Sequence, residues 1–96
     1  MGNITRTPRA RQHALDIWLH IAIDSPKAAD RFIDRIDDIL QMLADNPFAG
    51  KAAPNLDKTV RYFPVGSYLV FYDPLPDGIF VLRLWHGAQD LDNLEF

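Results

Sequence analysis

A chain of 96 residues, 48% hydrophobic and 24% charged, has the makeup of one globular domain and not of a disordered segment. Its net charge of −3 and isoelectric point near 5.4 argue against a primary nucleic-acid binder, because neutralising phosphates needs clustered Lys and Arg. The lack of cysteine removes disulfides and thiolate metal sites and favours a reducing cytoplasm, and no apolar run is long enough to span a membrane. Taken in chain order, Asn3–Arg6 is a short first strand. Thr7-Pro8 starts a helix, with a hydroxyl N-cap before a first-turn proline. This helix runs to about Ile23 and turns Ala10, Ala14, Ile17, Trp18 and Ile21 to one side. Asp24-Ser25-Pro26 stops it and repeats the device, with Ser25 as the cap of a second helix from Pro26 to about Ala44. Here Ala29, Phe32, Ile33, Ile36, Ile39, Leu40 and Leu43 make a continuous apolar stripe, with Arg31, Asp34, Arg35, Asp37 and Asp38 outside it. The short link predicts an antiparallel helix hairpin.

Asn46–Gly50 ends the second helix, and Pro54 and Asn55 keep the segment up to Asp57 irregular. Thr59–Phe63 is a strand that Pro64, lacking an N–H, is expected to cut off. Tyr68–Tyr72 and Ile79–Trp85 are two further strands around a Pro/Asp/Gly turn. The order β-α-α-β-β-β predicts an α+β fold, one helix hairpin packed on one face of a small antiparallel sheet. The last two strands are apolar on both faces. Strict alternation sends Phe80, Leu82 and Leu84 one way and Ile79, Val81 and Trp85 the other, with Arg83 between. One helix hairpin covers one face, so the other is expected to need a second polypeptide as its lid.

Chemistry-bearing residues are few. His13 and His20 lie two helical turns apart but have no carboxylate at ligand spacing, so neither metal nor cofactor is expected. Asp34, Asp37 and Asp38 read as a solvated face paired locally with Arg31 and Arg35. Arg61, Arg83 and His86 form a conceivable phosphodiester-cleaving set, with arginines for transition-state charge and the imidazole as general acid. A general base and strand lysines are missing. The preferred reading is therefore that no residue is catalytic and that the arginines pair with a partner's carboxylates.

Several runs together resemble one family: AADRFIDRI (Ala28–Ile36), LADNPFAGK (Leu43–Lys51), VRYFPVGSYLVFYDP (Val60–Pro74) and GIFVLRLWHGAQDL (Gly78–Leu91). In this order and spacing the chain looks like the RelE/ParE toxin superfamily of type II toxin–antitoxin systems, more its ParE branch than its RelE branch. The resemblance covers about Thr7 to Leu91 and implies a single toxin domain over residues 1–96. It implies a cytoplasmic inhibitor of DNA gyrase that binds a ParD-like ribbon-helix-helix antitoxin in a hetero-oligomer and needs neither membrane nor sequence-specific nucleic acid. The antitoxin is expected on Trp18, Arg61, Tyr68, Val70, Tyr72, Ile79, Val81, Arg83 and Trp85, and the target on His86, Gln89 and Asp90. One alternative is a RelE-like ribosome-dependent mRNA endoribonuclease using Arg61, Arg83 and His86. The other is a degenerate, non-toxic antitoxin-binding module, suggested by Gln89 where the motif usually carries Arg; Lys51 likewise stands where Arg is common.

Overall fold

The computed structural model describes residues 2–87. It contains β1 (Asn3–Arg6), α1 (Pro8–Ala22), α2 (Pro26–Asp45), β2 (Lys51–Ala52), β3 (Arg61–Val65), β4 (Tyr68–Leu75) and β5 (Gly78–His86). Both helices start where their caps predict. Thr7 Oγ1 accepts from the Ala10 N–H at 2.9 Å and Ser25 Oγ from the Ala28 N–H at 3.2 Å, each with proline in the first turn. The α2 helix stops at Asn46, whose side-chain amide donates back to the Met42 carbonyl at 3.0 Å, just before Pro47.

The sheet has the order β1-β5-β4-β3-β2. It is mixed and not purely antiparallel as expected: β1 lies parallel to β5, from Asn3 opposite Gly78 to Arg6 opposite Val81. The two strands approach so closely that a Cβ at Gly78 would strike the Asn3 backbone. The prolines also sit differently from expectation. Pro64 lies inside β3 opposite Leu69, and Pro74 lies inside β4 opposite Ile79. Each falls beyond the end of the third strand's pairing on that side: β2 reaches only Tyr62, and β3 reaches only Tyr72. Both strands are locally edge-like there, so the missing N–H breaks no ladder bond.

One irregularity decides which residues face which way. Phe71 stands opposite Arg83 while Tyr72 stands opposite Val81, so Leu82 is an extra residue in β5, a β-bulge. Ile79, Val81 and Leu84 consequently share the helix side with Val65, Val70 and Tyr72, against Ile17, Ile36, Leu40 and Leu43. Arg83 and Trp85 lie opposite Phe71 and Leu69 on the other face. Strict alternation had grouped Leu84 with Phe80 and Leu82, and Trp85 with Ile79 and Val81; the bulge reverses both.

The second face is not left for a companion. Ala53, Leu56 and Val60 fold back over Leu69 and Phe71, with Tyr62 and Leu82 beside them. A bond from the Ala53 N–H to the Val60 carbonyl at 3.0 Å closes this segment on itself. The irregular stretch between β2 and β3 is therefore the chain's own lid over this face, while Ile79 and Val81 are buried on the other face beneath the helix hairpin, so the expectation of an obligatory external lid fails for them.

Candidate functional site

Helix α1 is amphipathic twice. Ala10 and Ile17 are buried against the sheet, with Ala14 and Ile21 packed beside them. A second ridge, Arg11, Leu15, Leu19 and Ile23 at i+4 spacing, points away. Leu15 and Leu19 are half-exposed and Ile23 is 82% exposed. Arg11-Leu15-Leu19-Ile23 is readable as a helical repeat once the first stripe is assigned, so the signal for this surface was present in the sequence.

Beside this ridge runs a groove of about 370 Å³ between α1 and the ends of β4 and β5. His13, Asp16, Ile17 and His20 line it from the helix, and Tyr68, Leu84, Trp85 and His86 from the sheet. All three histidines of the chain thus meet in one place. Trp85 is 38% exposed and carries the Arg83 guanidinium 4.5 Å from its ring centre. The Tyr68 ring lies 4.8 Å from that of His86 and 5.5 Å from that of Phe32, which steadies the floor.

Electrostatics around the groove favour a neutral His13 and an acidic visitor. Burial lowers the His13 pKa below the usual imidazole value, Arg83 and Arg9 lower it further, and Asp16 partly opposes them. Burial, and then Arg9, also lowers that of Arg83. No group of three or more His, Asp or Glu among the described residues is arranged to hold a metal ion.

Apart from the two arginines, the residues expected at the antitoxin contact fall into three groups. Tyr68 and Trp85 line the groove. Trp18 is turned into the helix hairpin, its Nε1–H donating to Asp30 Oδ1 at 2.8 Å. Val70, Tyr72, Ile79 and Val81 are buried in the chain's own core, so they support the surface and do not form it. The bulge and the packing of the helix hairpin put them there. Arg83 is 7% exposed and half-hidden under Trp85.

Arg61 is engaged elsewhere. Its Nη1 donates to the Gly50 carbonyl at 2.7 Å and the Phe48 carbonyl at 3.4 Å, with the guanidinium 4.9 Å from the Phe48 ring centre. Opposite Tyr72 it lies on the helix side, whereas Arg83 lies on the lid side. His86, opposite Tyr68, is on the helix side at the other end of the strands. The three candidate catalytic groups therefore do not converge. Of the expected target contacts, His86 lines the groove, and Gln89 and Asp90 lie outside the described residues.

Comparison with known proteins agrees with this architecture. Residues 4–91 match the family described as the ParE toxin of the type II toxin–antitoxin system parDE. The chain is 27% identical over 90 residues to Toxin RelE3 of Caulobacter vibrioides, an alignment covering 93% of this chain and 98% of the relative. Its fold superimposes with a TM-score of 0.75 on a chain from a chromosomal ParDE system of P. aeruginosa, at 18% identity, covering 92% of this chain and 98% of the other.

Proposed function

The chain belongs to the ParE toxin family of type II toxin–antitoxin systems, and on that premise we propose that it is a cytoplasmic, non-enzymatic inhibitor of DNA gyrase, silenced by a ParD-like antitoxin. The observation that carries the antitoxin half is the paired surface on α1. An exposed leucine–isoleucine ridge runs beside an aromatic-lined groove, a contiguous apolar surface of the kind a partner segment covers. Arg9 acts on the groove-lining His13, and Arg11 heads the ridge. That charge suits an acidic segment carrying aliphatic anchors, which would steer association and fix register. The P. aeruginosa neighbour comes from a ParDE system, which supports a ParD-like partner here.

The non-enzymatic half is supported by the separation of Arg61, Arg83 and His86. General acid catalysis and charge stabilisation need their groups around one reacting phosphate. Here the two arginines lie on opposite faces of the sheet and one of them braces a loop. The test is DNA supercoiling by purified gyrase with and without the antitoxin. Inhibition by the toxin alone, relieved by the antitoxin, is the expected result. Unimpaired supercoiling with cleaved mRNA in expressing cells, abolished by His86→Ala, would instead establish the ribosome-dependent endoribonuclease. Unimpaired supercoiling without growth arrest would establish a non-toxic antitoxin-binding module.

A further inference from the structure

The outer edge of β5 is covered in two different ways. As far as Val81 it pairs with β1. Beyond that point, helix α1 supplies the partners. The Thr7 N–H donates to the Val81 carbonyl at 3.0 Å, and Thr7 Oγ1–H donates to the Leu82 carbonyl at 2.7 Å. The Leu84 N–H then donates to Nδ1 of His13 at 3.2 Å. Two helix side chains, Thr7 and His13, thus stand in for a strand, and only the second can titrate between pH 5 and 8.

The chemistry of that second bond is one-sided. A backbone N–H only donates, so Nδ1 must present its lone pair and the imidazole proton must sit on Nε2. A second proton would turn Nδ1 into a donor facing a donor and leave a half-buried amide without its acceptor. The surroundings oppose such a proton. Arg9 on α1 and Arg83 on β5 are cations close enough to act on the ring, and Asp16 on α1 is, among the described residues, the acid acting against them. Among the described residues, His20 from α1, His86 from β5 and the Tyr68 phenol from β4 complete the titratable groups around the groove.

We propose that His13 is a pH-operated latch between α1 and the outer edge of β5: neutral, it closes the edge and sets the wall of the groove; protonated, it releases the Leu84 N–H and loosens the helix from the strand. The linkage has a definite sign. With the folded-state pKa below the usual 6.5, the unfolded chain takes up the proton first. The latch therefore contributes its full stability above about pH 6.5. The contribution declines as the pH falls below that value and is lost as the pH passes down through the folded-state pKa. The mechanism holds whatever the toxin's target.

The test uses the purified full chain and two variants. His13→Asn places an amide oxygen near the position of Nδ1 that accepts but does not titrate; His20→Asn removes a groove imidazole that is not part of the latch. Between pH 7.5 and 5, the thermal midpoint of the unsubstituted protein and of His20→Asn should fall further than that of His13→Asn. The excess should be on the order of 4–8 °C, the size expected for one hydrogen bond in a domain of this length. Equal falls in all three would overturn the proposal. Should His13→Asn not fold, NMR of the unsubstituted protein decides. The Nε2–H tautomer at pH 7.5, with Leu84 amide protection (corrected for intrinsic exchange) lost at the midpoint of His13 titration, supports the latch. The Nδ1–H tautomer, or Leu84 protection that ignores the titration, overturns it.

Discussion

A single hydroxyl organises the turn between α2 and β2. Tyr72 Oη donates to the Pro47 carbonyl at 2.8 Å and accepts from the Gly50 N–H at 2.9 Å, tying a loop more than 20 positions away to the centre of β4. Gly50 is required because a Cβ there would strike that hydroxyl. Burial raises the Tyr72 pKa, with the Gly50 N–H and Arg61 opposing it, so the phenol stays protonated and able to donate. Tyr72→Phe leaves the ring in place and strips two backbone groups of their partner. We expect it to destabilise the fold by about 1–3 kcal/mol in urea unfolding; a change under about 0.5 kcal/mol would show that water replaces the hydroxyl freely. The family resemblance placed Tyr72 at the antitoxin contact. Its real partners lie in a loop that local pattern could not bring near it.

At the scale of elements, the chain carries its instructions unevenly. Thr7-Pro8 and Ser25-Pro26 were legible as helix starts, since a cap acts on amides three residues away. The α2 stripe was legible for a similar reason: 3.6-residue periodicity reports one buried face. Thr7 does more than cap, because it also donates to the Leu82 carbonyl. Thr7→Ala should therefore cost about 1–3 kcal/mol, more than Ser25→Ala at about 1 kcal/mol, both read by denaturant midpoint. Equal costs would mean that the bond to β5 contributes nothing. By contrast, the exposed Arg6–Asp37 pair at 3.3 Å belongs to a class worth at most about 1 kcal/mol. The bulge at Leu82 was not legible. Nothing local distinguishes a bulged apolar strand from a regular one; the partner strand's register reveals it.

For the whole molecule, the question is where apolar surface remains once the chain has covered itself. The sheet's second face is closed by Ala53, Leu56 and Val60, and the uncovered surface has moved to α1. Phe48, 72% exposed at the opposite edge under Arg61, is a separate and smaller patch. The α1 ridge offers a clean separation of folding from binding. Leu19→Glu removes no core contact and should change unfolding by no more than about 0.5 kcal/mol. It places a carboxylate where an acidic, aliphatic antitoxin segment would pack, and should weaken that complex at least about tenfold, near 1.4 kcal/mol, by calorimetry. Unchanged affinity would move the antitoxin contact off this ridge.

Cap chemistry, helical periodicity, the β-α-α-β-β-β order and the family motifs are properties of neighbouring residues, and they sufficed to identify the helix hairpin, the sheet and the kind of protein. The side of the sheet on which each β5 residue falls, the lid over the second face and the meeting of His13, His20 and His86 depend on contacts between residues tens of positions apart. Such contacts form only when the chain closes on itself. One extra residue in a strand then reverses every side chain beyond it, so the tertiary structure alone decided which oily residues the protein keeps and which it presents.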